Sequence, residues 1–233
     1  MAKNKVVRLA PAGQEIGVSE KSETDHLVDE IRTRIVSQTL LPGSRLRESQ
    51  FAEVFNVSRA RVRDAFGILE ERGLIERIPN KGAVVMRLEA DDIYDLFEVR
   101  EVLEAQMVRL ATMKSVPGDW DELIELFGDP LEKRVAGNDL DAYMAAIAEF
   151  RNQCINAARN DVLKGLLDSI YDRVQGMTRR LTLVPGRALK GFHQHQEILQ
   201  AMRSGDADRA EMLKRENIRS AQEWFQKYQK YLL

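Results

Sequence analysis

Between residues 25 and 88 the signals that start and stop helices follow one another so closely that only short elements fit. The stretch "DHLVDEIRTRIVSQTL" places Leu27, Ile31 and Ile35 at i, i+4 and i+8, with Val28 and Val36 beside them, which is one apolar helical stripe. Pro42 and Gly43 cannot continue that helix. Ser49 is suited to cap a second, short helix whose buried positions would be Phe51, Ala52, Val54 and Phe55. After the turn "NVS", Ser58 is suited to cap a third helix with Val62, Phe66 and Leu69 on one face, closed by Gly73. "LIERI" and "AVVMRL" then read as strands joined by "PNKG", whose Pro79, Asn80 and Gly82 are turn formers. Helix, helix, turn, helix and hairpin is the order of a winged helix-turn-helix, expected over residues 25–88.

The flanks differ. Residues 1–24 mix Gly, Pro, Ser, Lys and Glu without a steady hydrophobic period, so a flexible arm is expected there. From Asp91 the pattern stays helical, beginning with "DDIYDLFEVREVLEAQMVRLATM" and continuing over about 119–136, 139–158, 161–181, 187–203 and 206–230. With no strand run among them, residues 89–233 should form an antiparallel all-α helical bundle, which makes the fold class mainly α.

Charge is divided along the chain. The formal net charge is −2, yet residues 1–88 carry 15 Lys/Arg against 12 Asp/Glu, and the remainder 20 against 25. A slightly acidic total excludes a uniformly basic nucleic-acid coat but leaves a local basic face open. Cys154 is the only cysteine, so an intrachain disulfide and a multi-cysteine zinc site are excluded, which suits a reducing cytosol. No signal-type segment and no run of about 18 apolar residues occurs, so a cytoplasmic protein without a membrane span is expected. His26, His193 and His195 form no catalytic spacing, and no nucleophile elbow, P-loop, dinucleotide fingerprint or H-E-x-x-H is present, so no enzyme is expected.

The positive charge gathers in "NVSRARVRDAF", residues 56–66. In a helix-turn-helix the second helix enters the major groove with its N-terminal residues at the base edges and phosphates. Arg59 and Arg63 are four apart and share a face, while Arg61 points roughly 200° away from Arg59. The apolar stripe must face the other helices, which leaves Arg59 and Arg63 for the groove and Arg61 as a phosphate contact or a solvated charge. An arginine fork can donate two bonds to guanine or pair with phosphate, and basic residues at a helix N-terminus oppose the macrodipole unless an anion is near. Arg45, Arg47, Asn80 and Lys81 would flank the same groove. An RNA partner is disfavoured, because the deep groove of A-form RNA does not admit a helix well.

The stretch "LPGSRLRESQFAEVFNVSRARVRDAFGILEERGLIERIPNKGAVV" resembles the DNA-binding half of the GntR family of bacterial transcription regulators. The resemblance implies that Arg47, Arg59 and Arg63 make the main DNA contacts, with Ser58 near phosphate and Gly82 at the wing tip. Where the family usually has Thr-Pro, this chain has Ala60-Arg61, so operator preference does not transfer.

The remainder resembles the ligand-binding domain of the FadR subfamily through "LFEVREVLEAQMVRLA", "FRNQCINAARND" and "HQEILQAMRSGDADRAEMLKREN". Many members of that subfamily hold a divalent metal on one Asp and three His. The resemblance puts those positions at Ile147, Arg151, His195 and Asn217 here, of which only His195 is a strong ligand. No metal and no other cofactor are therefore expected. Arg151 would instead supply a fixed positive charge for a carboxylate or phosphate effector, with Arg100, Arg173, His195 and Asn217 completing the pocket. Beside this stand other readings: an Arg151 paired with an internal acid or exposed, a solvated Arg173, a satisfied core His195, and a metal-dependent regulator of the same family. The overall expectation is a homodimer on double-stranded DNA with a near-palindromic operator, a repressor rather than an activator, released by a small anionic metabolite.

Overall fold

The computed structural model describes residues 22–233. Most of the expected arm at residues 1–24 lies outside the described residues. Its end does not: the first helix, α1 (Glu23–Val36), starts two residues earlier than expected. Ser22 caps it, accepting from the Asp25 N–H while the Asp25 carboxylate takes the Ser22 N–H.

In the N-terminal domain β1 (Arg45–Leu46) precedes α2 (Glu48–Val54) and α3 (Arg59–Glu71), followed by β2 (Ile75–Ile78) and β3 (Gly82–Val85). The three strands form one antiparallel sheet in the order β1-β3-β2, with Arg45 opposite Val84 and Glu76 also opposite Val84 from the other side. β1 is too short to leave a period in the sequence and was not expected. Arg47, not Ser49, sits at the cap of α2, with no side-chain capping bond, and Val54 is 58% exposed rather than buried. The core joins Leu27, Val28 and Ile31 of α1 to Phe51 of α2 and to Val62, Ala65, Phe66 and Leu69 of α3. Removing that much apolar surface from water is the main force holding three short helices together.

The second domain begins with α4 (Ala90–Lys114), whose buried stripe runs Ile93, Leu96, Phe97, Arg100, Glu104, Met107, Val108 and Ala111. The expected helix over 119–136 is three pieces: a 3₁₀ turn Pro117–Trp120, α5 (Asp121–Leu126) and α6 (Asp129–Ala136). Gly128 stands at the break, where a Cβ would come within 2.9 Å of the Glu125 carbonyl oxygen, and Pro130 starts α6 afresh. The bundle is completed by α7 (Leu140–Ala158), α8 (Asp161–Thr182), α9 (Arg187–Arg203) and α10 (Ala207–Leu232). Phe127, Phe150, Phe192 and Phe225 are fully buried in a core separate from that of the first domain. Among the described residues no helix is long and apolar enough to cross a membrane.

Candidate functional site

The residues expected to read DNA sit at the starts of α2 and α3 and at the β2–β3 turn. Ser58 caps α3, its hydroxyl accepting the Arg61 N–H at 3.2 Å. Arg47, Arg59 and Arg63 are exposed, as are Asn80, Lys81 and Gly82 at the hairpin tip. Asn80 and Gly82 take φ of +65° and +80°, the left-handed conformation that a tight strand connection requires. Two of the arginines are already engaged. Arg61 pairs with Glu23 of α1, so it is neither a bare solvated charge nor turned wholly outward. Arg63 forks onto Glu48 of α2, with Nη2 3.0 Å from Oε2 and Nε 3.3 Å from Oε1. The bond from Arg63 holds the Glu48 carboxyl below its usual range.

In the second domain α4, α7, α8, α9 and α10 enclose a cavity with about 120 Å³ of free space. Four of the five expected effector residues, Arg100, Arg151, His195 and Asn217, line it, together with Ile147. The Arg151 guanidinium lies over the Tyr171 ring, 3.9 Å from its centroid, and its buried Nε has no hydrogen-bond partner among the described residues. Arg100 is not a lone cation: its Nε is 2.8 Å from Glu104 Oε1. Sequence reasoning missed two further cations on the wall, Lys214 and Arg187. Lys214 is 4% exposed, and its Nζ is 2.9 Å from Glu104 Oε2 and 3.3 Å from Asn217 Oδ1. Burial pushes the Glu104 carboxyl up, but Lys214 and Arg100 together outweigh it and bring it down to about 2.

His195 is enclosed by Phe127, Phe150 and Tyr143. Its Nδ1 is 2.7 Å from the Gly191 carbonyl oxygen, so Nδ1 carries the proton and the buried Nε2 is left as an acceptor. Burial, then Lys214, lowers its pKa to about 3, which keeps the ring neutral. His193 points elsewhere, to Glu132 at 2.9 Å on the surface. This set does not suit a divalent cation. Ile147 has no lone pair, Arg151 and Lys214 are themselves cations, and Asn217 Oδ1 already accepts from Lys214. Among the described residues no three His, Cys, Asp or Glu side chains gather where a metal ion would sit.

Arg173, the fifth expected residue, is not at this cavity. It lines the groove between the domains with Asp172, Gly176 and Arg180, and its side chain packs on Gly73. The reason is its position on α8: Tyr171, Val174, Gln175 and Thr178 take the cavity side, and Arg173 is turned about 200° from Tyr171. Asp172, next to Tyr171, is 2.6 Å from Arg32 Nε of α1. One helix therefore walls the cavity with one face and grips the DNA-binding domain with another.

Residues 95–220, more than half of the chain, match the FCD domain family, and residues 23–85 match the family described as bacterial regulatory proteins, gntR family. The chain is an FCD-domain member of the GntR family. Its relatives are transcriptional regulators rather than enzymes. This GntR-family chain is 30% identical over 142 residues to the Nta operon transcriptional regulator of Aminobacter aminovorans, a match spanning 60% of this chain and 66%, just under two thirds, of that one. It is 26% identical over 211 residues to the putative L-lactate dehydrogenase operon regulatory protein of Escherichia coli, covering 80% of each. The solved structure of E. coli McbR/YncC, 20% identical, has the same fold, with a TM-score of 0.74 over 90% of this GntR-family chain and all of that chain.

Proposed function

We propose that this GntR-family protein is a repressor that binds a near-palindromic operator as a homodimer and releases it when a small anionic metabolite enters the FCD cavity, held without a metal. Each winged helix-turn-helix reads one half-site, with Arg59 and Arg63 at the base edges and Arg47, Ser58, Arg61, Asn80, Lys81 and Gly82 on the flanking backbone. The observation that carries the effector reading is the Arg151 guanidinium, stacked on Tyr171 inside the cavity with an unpartnered Nε. A buried donor without a partner costs free energy, and a carboxylate or phosphate relieves that cost.

Transmission follows α8. A ligand that shifts Tyr171 shifts the adjacent Asp172, and with it the Arg32 contact to α1. Operator affinity changes only to the extent that the ligand prefers one of the two arrangements. The test is a gel-shift titration with a metabolite panel. Arg151→Gln is expected to keep operator affinity and lose metabolite-induced release; an unchanged response retires the reading.

A further inference from the structure

The charge on the cavity wall narrows what the ligand is. Arg100, Arg151, Arg187 and Lys214 bring four positive charges to it, and among the described residues Glu104 is the single carboxylate there. Glu104 spends both oxygens, one on Arg100 and one on Lys214. Neither Arg151 nor Arg187 has an ion-pair partner among the described residues, and Arg187 leaves Nη1 buried and unbonded. His195 adds nothing to the count because its enclosure keeps it neutral.

Three positive charges are thus uncompensated around a space of about 120 Å³. Charges of one sign repel where water is scarce, so anions from outside would stabilise such a cluster. Burial lowers the Arg187 guanidinium below its usual pKa, with Tyr143 opposing the shift and Arg100 adding to it. A single carboxylate would leave two of the three charges unmet. The cavity is also below the roughly 300–1,000 Å³ of sites for drug-sized molecules, which favours a small ligand.

Building on the anion-effector reading above, we infer that the ligand is a small dianion, a dicarboxylate or a phosphate monoester, whose two negative charges are met by Arg151 and Arg187 beside the Arg100–Glu104–Lys214 cluster. Arg187 is thereby a specificity residue: its charge separates dianions from monoanions of the same size.

The experiment measures thermal protection and calorimetric affinity of the full chain for matched probes: succinate against butyrate, glutarate against pentanoate, glycerol 3-phosphate against glycerol, all at one ionic strength. At least one dianion is expected to bind roughly tenfold or more tighter than its partner probe. Arg187→Gln should shrink that ratio several-fold, while Lys190→Gln, an exposed change on the same helix, leaves it unaltered; circular dichroism confirms that each variant is folded. Monocarboxylates that bind as tightly as the dicarboxylates in both carboxylate pairs overturn the dianion inference and leave the anion reading standing. Protection by uncharged probes alone overturns both. No protection by any dianion of the set overturns the inference, as does an Arg187→Gln variant that is folded and keeps the wild-type ratio.

Discussion

Arg63 lies against Glu48 as a fork, two nitrogens on two oxygens, bridging the recognition helix to the helix before it. In the proposed complex the guanidinium is thereby held in place before any DNA arrives. Arg63→Ala is expected to weaken operator binding by about 1–3 kcal/mol and relax specificity at the base it meets. Glu48→Gln, which keeps the shape but loosens the hold, should lower specificity more than total affinity. Gel-shift titrations on the operator and on a scrambled duplex at fixed salt check both, and an Arg63→Ala protein with wild-type affinity would refute the assignment.

Glu104 holds two buried cations. Glu104→Gln leaves Arg100 and Lys214 without their counter-charge, and breaking buried pairs of this kind costs about 3–5 kcal/mol. Urea unfolding is expected to show a loss of that order, partly restored in Glu104→Gln/Lys214→Met. A double variant no more stable than the single one would mean that Lys214 draws little from the carboxylate.

Acid should weaken the protein in two stages. His195 titrates near 3 when folded against 6.5 for an ordinary imidazole, so between those values the unfolded chain binds the extra proton. Its share of stability is complete above pH 6.5 and drains away as pH falls toward 3. Glu104, lowered from 4.5 to about 2, adds its own loss below pH 4.5. Comparing denaturation midpoints at pH 7.5 and 5.0 isolates the histidine, and His195→Gln is expected to flatten that interval. A wild-type slope in the variant would assign the acid sensitivity elsewhere.

The Arg32–Asp172 contact ties α1 directly to α8. Asp172→Asn is expected to leave metabolite affinity within about twofold while reducing the metabolite's effect on operator binding, since the coupling between two sites is a free energy separate from either affinity. Parallel calorimetry and gel shifts decide the matter. Full coupling in the variant would place the transmission outside this pair.

Much of this was legible in the residues, and the unread parts have physical reasons. Ser58 and the stripe Val62, Phe66, Leu69 specify α3 locally, so the recognition helix stands where its sequence puts it. Lys214 escaped notice because a lysine is ordinarily solvated, yet the signal was present. It falls on the buried stripe of α10 between Ala210 and Ile218, a position where a cation is held only by a partner. Arg100 and Glu104 break the α4 stripe in the same way. Arg173 was misplaced for the opposite reason: periodicity gives the angle between residues on a helix but not which side of that helix looks into a cavity.

Gly73 ends the recognition helix at φ +68°, and an added Cβ would stand 3.1 Å from Arg173 Cδ of α8. The position is therefore bare for two independent reasons, one belonging to the turn and the other to a neighbour far away in sequence. The tail of the helix-turn-helix rests here on a single side chain of the second domain, and the missing Cβ leaves the room for it. A larger residue there would strain the turn and push the Arg173 side chain aside, at a place outside the ligand cavity.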